Sequence, residues 1–481
     1  MNDDFHSDSG SGSQEVTLQG TSRILSCESD SFFQFVDWLS FGLTTAIALA
    51  VYLFTLPPDV TLERQGIYAT GAFYAGVPHP PGYPLWTLYA WLFTELLQVS
   101  NVAWRVSVSS AVAGAVTCGL LALMVSRVGK AILDGSADLA KMPRKQEIWL
   151  RVGAGYAAGM AFGFSNWFWG LAVVGDVWPL SMLLLAWVIC LLLRWLHEPA
   201  LRRYLVAACF VYGLTLTNSE ALATAAPGLA VMVVIGDRAI ARDGFLSIAL
   251  LIAAVAAHGI GFVWVFEFIA LVAQAEQFRW YYISGGVIAL LVAGGLALKT
   301  RKVFTEWKMV IASGSALLGG LSLYWYLPLA SMTNPPVNWG YPRTVTGFFH
   351  DLTRGQYERI RPVESPAGLA HAMAIYSRTV PRDFGWIFLP PAVLPFLRFR
   401  KTQGPVRRLM LGTCAAFGSL SVVLVYFLNP HGDRQALGLD AVYFSASYLI
   451  LALWTGWGLI LAGGIWGSRD TGRRVSESVS Q

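Results

Sequence analysis

The sequence predicts an all-α integral membrane protein with about twelve transmembrane helices and one further helix lying along the outer surface. Composition is the first reason: of 481 residues, 55% are hydrophobic and 13% are charged, about half the charged share of an average soluble domain. Grouping is the second. The apolar residues come in runs of roughly 16 to 25, the length that crosses about 30 Å of hydrocarbon at about 1.5 Å per residue. The third is the placement of the basic residues, which cluster in alternate loops between those runs. The net charge of +5 therefore reflects membrane orientation, and no nucleic-acid partner is expected.

Residues 1–33 are rich in Ser, Gly and acidic side chains and lack a basic stretch followed by an apolar one. They read as a disordered cytoplasmic tail and not as a cleaved signal. Residues 34–465 are expected to form the membrane domain and 466–481 a second cytoplasmic tail. Spans are expected near 34–55, 104–127, 149–171, 174–195, 204–218, 220–236, 244–268, 281–298, 308–330, 384–397, 409–428 and 441–464. The basic clusters are Lys130 with Lys141, Arg144 and Lys145; Arg202 with Arg203; Arg238 with Arg242; Lys299 with Arg301 and Lys302; and Arg398 through Arg408. They share one side, which the positive-inside rule makes the cytoplasm of a bacterial-type inner membrane, with both termini on that side. The five cysteines are scattered, four of them inside apolar runs, with neither ligand spacing nor a disulfide framework.

One segment resists this scheme. Tyr83–Val99 is apolar enough to be counted as a span, but a crossing there would invert every later loop. It is therefore expected to lie on the outer face, led in by Pro80-Pro81-Gly82 and anchored at headgroup level by Trp86, Tyr89 and Trp91. Two large segments then face outside, 57–103 and 331–383. Loops of that size are functional or disordered as a rule, and their aromatic and Pro content argues for order. No internal repeat is visible, which weakens a transporter built from duplicated halves.

Candidate chemistry collects in these outer segments. The first holds Asp59, Glu63, Arg64 and His79; a carboxylate and an imidazole can move protons there, though a rigid Pro-rich loop with solvated charges explains the same residues. Asp176 sits in an apolar stretch, where a charge is costly unless it faces a cleft or caps a helix, and the two roles can coincide. Asn218-Ser219-Glu220 makes a polar turn between two short spans, for which the turn itself is a sufficient explanation. The late segment sets Asn334, Trp339 and Arg343 beside Arg354 and Tyr357. Ring faces suit a sugar and guanidinium forks suit phosphate, against the alternative of a structural Pro-rich turn. His431, Asp433 and Arg434 form a third polar cluster that a hydrated loop explains equally well. His258 and Glu267 lie in or near the seventh span, and no His/Cys pair has zinc spacing. No structural metal is inferred.

At His79-Pro-Pro-Gly-Tyr-Pro84, preceded by Thr55-Leu-Pro-Pro-Asp-Val-Thr61, the sequence resembles a family of multipass GT-C-type glycosyltransferases. That family was long known only as a domain of unknown function, and its vertebrate member is a secretory-pathway protein O-mannosyltransferase. The likeness continues at Asn101-Val-Ala-Trp-Arg105, Ala172-Val-Val-Gly-Asp-Val177, Asn334-Pro-Pro-Val-Asn-Trp-Gly340 with Pro342-Arg343-Thr344, and Arg354-Gly-Gln-Tyr357. It runs over most of 35–465.

The resemblance implies a GT-C fold in which a polyprenyl-phosphate-linked sugar binds between helices and an acid of the first outer loop acts as base. This sequence departs from the family at that point. Where the family carries an Asp-Ser-Gly-Glu-like stretch, the chain reads Glu63-Arg64-Gln65-Gly66-Ile67, so Arg64 and Ile67 replace the usual acids and Glu63 is the nearest carboxylate. The expectation is a membrane glycosyltransferase moving a hexose from a polyprenyl-phosphate donor to an acceptor outside the cytoplasm. Glu63 is its base and Asp176 a second acid. His79, Arg105, Asn218, Glu220, Asn334, Trp339, Arg343, Arg354 and Tyr357 are its substrate-binding candidates. A non-catalytic lipid-binding or transport protein on the same scaffold is the alternative, favoured by Arg64 and Ile67. The sequence leaves the sugar, the acceptor and any divalent metal open.

Overall fold

The structure, a computed structural model, describes residues 31–61, 64–135, 142–257, 276–354, 361–402 and 404–479. Among them, every expected span falls on helix. Seven helical stretches are long and apolar enough to cross a bilayer: Phe35–Thr55, Val102–Asp134, Trp178–His197, Ile283–Thr300, Trp307–Met332, Gly404–Leu428 and Leu437–Gly467. The other expected spans are shorter, more polar or broken, so the multipass all-α class holds while the count of twelve is not established. Each break has a local cause. The 149–171 run stops at Gly163 and restarts as the short helix Asn166–Ala172. The 384–397 run is interrupted by Gly385 at φ +101 and resumes at Leu389, with Pro390 and Pro391 in the first turn where a missing N–H is tolerated.

The Val102–Asp134 helix is the post around which the bundle is built. It is 33 residues long, and Phe35–Thr55, Arg144–Gly163, Trp178–His197 and the last helix, Arg434–Val479, all pack against it. Small residues permit the approach: a methyl group at Gly159 would fall 2.7 Å from the Cys118 carbonyl oxygen of the post. Close packing of this kind, and not a hydrophobic drive, holds helices together in lipid. Nearby, the Arg151 guanidinium lies 2.7 Å from Asp37 and 2.8 Å from Glu147. Ser126 Oγ donates to the same Asp37 oxygen at 2.6 Å. Asp37 and Arg151 are buried, and each charge has partners.

The extra helix is Pro84–Leu96, and its 13 residues are too few to cross about 30 Å of hydrocarbon. It is held differently from expectation. Trp86 is fully buried and its Nε1 donates to the Asp176 carbonyl at 2.9 Å. Tyr89 is half-buried and donates to the Ser109 carbonyl at 2.9 Å, which leaves Trp91 as the one exposed ring of the three. Two indole or phenol groups that were expected at headgroup level thus pin the helix to the protein. At the other end of the chain, the last helix runs through 466–479, a stretch expected to be a tail. Residues 1–30 lie outside the described residues, as do His258 and Glu267.

Candidate functional site

The two outer segments are joined to one another. Val77 N donates to the Val337 carbonyl and Trp339 N to the Val77 carbonyl, both at 3.0 Å, in an isolated parallel bridge between Val77 and Asn338. Tyr326 OH adds a bond to the Ala75 carbonyl. The His79-Pro-Pro-Gly turn follows directly. Its Pro80–Pro81 peptide is cis, and Gly82 sits at φ +90 with the Leu327 side chain 2.4 Å from where a Cβ would be. That position requires glycine twice over, for its backbone angle and for the space.

The turn delivers two rings to a cluster. His79 and Tyr83 stack at 6.3 Å between centroids, and Tyr68 faces them at 6.4 and 6.1 Å. Trp339 closes one side, 5.8 Å from His79, and Trp86 the floor, 5.1 Å from Tyr68. A guanidinium stands at either end: Arg64 lies 6.0 Å from the Tyr68 ring, while Arg354 Nη2 donates to Tyr83 OH at 3.4 Å and Nε to Glu220 at 3.3 Å. Burial holds the His79 pKa below the usual histidine value, and the charges of Arg64 and Arg354 push it the same way. One ring nitrogen, Nδ1, lies 2.9 Å from the Pro80 carbonyl, which ties the imidazole to its own turn. His79 thus shapes the loop.

Asp351 is the least satisfied group in this region. It ends the helix Val345–Leu352, started by the Thr344 hydroxyl accepting from Gly347 N at 3.0 Å. The side chain is 0% exposed, and neither carboxyl oxygen has a hydrogen-bond partner among the described residues. Two glycines make room for it. A Cβ at Gly82 would lie 3.3 Å from Oδ2, and one at Gly340 3.1 Å from Oδ1. Burial, and after it the negative charge of Glu220, push the Asp351 carboxyl up to about 7. A buried polar group without a bond costs about 1–3 kcal/mol or more, so a carboxyl kept in this state calls for a ligand or a proton.

The sequence candidates divide accordingly. Arg354, Glu220, His79 and Trp339 meet in the cluster. Asp176 lies beneath it: its carboxylate accepts from Trp178 N at 2.8 Å, its carbonyl from Trp86 and Ser110, and its charge supports that of Arg64. Capping and proximity to the site do coincide there. Asn218 is buried beside the same turn, donating to the Val177 carbonyl at 3.1 Å and to Ser181 at 2.8 Å. Arg105 bonds three carbonyls, of Thr94, Val99 and Ser100, and thereby fixes the end of the surface helix. Arg343 is exposed and engaged by Asn334 and the Tyr341 ring, away from Arg354. Glu63 and Tyr357 lie outside the described residues. Sequence reasoning missed Tyr68 and Tyr83 as site rings and Asp351 as its buried acid. Asp351 stands three positions before Arg354, but nothing in composition tells a buried aspartate from a solvated one.

With this geometry in place, the comparisons with known proteins fall on part of the same region, the first segment and not the late one that carries Trp339, Asp351 and Arg354. Residues 65–241 match the family model of the protein O-mannosyl-transferase TMEM260 N-terminal domain. The likeness read from the motifs is therefore to this family. The mouse protein O-mannosyl-transferase TMEM260 is 32% identical over 193 residues, 38% of this chain and 25% of that relative. The protein of the same name from Dictyostelium discoideum is 32% identical over 77 residues, 16% of this chain and 9% of that relative. The chain thus spans at most about a quarter of the length of the relatives it matches. The family match covers Tyr68, His79, Tyr83, Asp176 and Glu220, and is narrower than the 35–465 over which the motifs were read.

Proposed function

We propose that the chain is a membrane glycosyltransferase that moves a hexose, mannose by analogy with the names of its relatives, from a polyprenyl-phosphate donor to a hydroxyl outside the cytoplasm. The observation that carries this reading is the cluster in which Arg354, the Tyr68, His79 and Tyr83 rings and the bare carboxyl of Asp351 are brought together by two bridged outer segments. Arg354 would hold the donor phosphate through charge-assisted bonds, with ring faces for the sugar. The acceptor oxygen attacks the anomeric carbon, the bond from that carbon to the phosphate oxygen breaks, and the polyprenyl phosphate leaves with the pair of electrons.

The acceptor proton goes to a carboxylate of the chain. The family likeness assigns that part to Glu63, with Asp176 as a second acid, and a specific observation favours Asp351: it is unbonded, buried and adjoins the motif turn. The two assignments part on pH. A base of ordinary carboxylate acidity puts the rising limb of turnover near about pH 4, whereas Asp351 puts it near 7. Asp351→Asn abolishes that limb if Asp351 is the base and leaves it in place if Glu63 is, in which case Glu63→Gln removes turnover.

Replacement of the family acids by Arg64 and Ile67 supports the second reading, a lipid-binding protein on the same scaffold. Purified protein incubated with a panel of polyprenyl-phosphate sugars separates the two. Transfer to any acceptor establishes the enzyme; tight donor binding with no transfer across the panel leaves the lipid-binding protein.

A further inference from the structure

On the face opposite this cluster, two guanidinium groups and an imidazole surround one ring. The Arg127 guanidinium lies 4.6 Å from the centroid of Phe32 and that of Arg194 lies 4.4 Å from it, while the His197 ring is 5.1 Å away. Arg127 comes from the Val102–Asp134 post and the other two from the last turn of Trp178–His197. Arg194 has one partner among carboxylates, Glu198 at 3.2 Å, and the neighbouring Asp37 is engaged by Arg151 and Ser126. What remains is a set of donors without acceptors among the described residues: Arg127 Nε and Arg194 Nε and Nη1 are all buried and make no hydrogen bond to them. Stacking on a ring does not replace those bonds. A charged donor left bare loses its hydration without recovering a bond, and three at one place ask for a multivalent anion.

A second, independent feature says which anion. From Phe32 a ladder of rings leads along the outside of the first helix: Phe32 to Phe33 at 4.7 Å, Phe33 to Trp38 at 5.9 Å, Trp38 to Phe41 at 5.7 Å. Phe35, Trp38 and Leu39 beside it are 66%, 51% and 42% exposed, on a helix whose apolar span begins at Phe35. Donors at the head of an exposed apolar track fit an amphiphile whose anionic head meets the arginines and whose chain lies on the rings. We propose that Arg127 and Arg194 bind the phosphate of an anionic phospholipid of the leaflet on the basic face, with the Phe32–Phe41 ladder as the bed for its acyl chain. By the positive-inside rule this is the cytoplasmic leaflet, where anionic lipids supply such heads. The site is separate from the outer cluster and does not depend on the function proposed for it.

The test uses the full chain in nanodiscs of phosphatidylcholine, with or without phosphatidylglycerol, and reads retained lipid by native mass spectrometry and the thermal midpoint in each. The wild type should keep phosphatidylglycerol in preference to phosphatidylcholine. The double variant Arg127→Gln, Arg194→Gln should lose that preference by about tenfold or more, the yield of even one charge-assisted bond. Lys299→Gln with Lys302→Gln removes the same charge from exposed positions elsewhere on the basic face and should leave the preference intact. Arg194→Lys keeps the charge while removing the unbonded fork nitrogens. It should weaken retention even if the double variant proves too unstable to purify.

Equal loss in the lysine control, or undiminished retention in both arginine variants, would overturn the proposal. So would inorganic phosphate raising the midpoint as far as the lipid does, since the site would then be one for small anions.

Discussion

Two aspartates of this chain are both fully buried, and their surroundings are opposite. Asp37 meets Arg151 and Ser126 within 2.7 Å, whereas the two oxygens of Asp351 have no hydrogen bond among the described residues. A charge in a low-dielectric interior survives as a structural element only when it is paired and bonded. By that standard Asp37 belongs to the scaffold. Asp351 does not: it is kept at an energetic cost beside a motif turn, and that difference is the ground on which a working role at the outer segments is proposed for it.

The comparison breaks first at the Asp37 side. Asp37→Ala leaves a buried guanidinium with Glu147 and the Ser126 carbonyl but without its buried carboxylate, and is expected to lower stability by roughly 3–5 kcal/mol, measured as loss of folded protein in detergent or as a fall in the thermal midpoint. Replacing both partners, Asp37→Leu with Arg151→Leu, should recover most of that loss, because the desolvation of both charges disappears together. If the single and double variants are equally unstable, packing and not pairing holds this interface.

A smaller effect is expected at the outer cations. Arg354→Ala should weaken binding of a polyprenyl-phosphate sugar by roughly 1.5–3 kcal/mol, and Arg343→Ala should change it little, since Arg343 is exposed and tied to Asn334. Titration of the two variants against the same donor measures the contrast. Equal weakening would bring Arg343 back into the site.

Much of the fold was legible because lipid is an unforgiving solvent: it demands long apolar runs and puts cations on one side, and both marks are written in the order of residues. That Pro84–Leu96 does not span could be read from parity alone. Its anchorage could not, because an indole suited to a headgroup is equally suited to a buried carbonyl, and Trp86 found the carbonyl of Asp176, 90 residues away. The site was legible in part for the same reason. Arg354, Glu220, His79 and Trp339 were picked out as polar or aromatic groups in outer turns, and folding did bring them together. Arg343, Asn218 and Arg105 have the same chemistry and went to carbonyls and amides instead. Which of two similar arginines reaches a site depends on contacts distant in sequence.

A further effect is expected on stability against pH. The Asp351 carboxyl is raised by folding, so the folded chain binds this proton more tightly than the unfolded one. The stability it contributes is therefore present in acid and lost as pH rises through the ordinary carboxylate range to about 7, with no further loss above. Asp351→Asn should flatten that part of the profile in thermal unfolding at a series of pH values. An unchanged profile would mean that the carboxyl is not held protonated.

The account as a whole stands on Asp351 being a working group of the outer site. The most direct measurement is transfer of labelled mannose from polyprenyl-phosphate mannose to an acceptor as a function of pH, wild type beside Asp351→Asn, with donor binding followed in the same samples. The account predicts wild-type transfer that rises through about pH 7, and a variant that binds donor equally well but transfers about 100- to 10,000-fold more slowly, the usual yield of general-base catalysis. A variant that transfers as fast as the wild type, with the same rise, would contradict it.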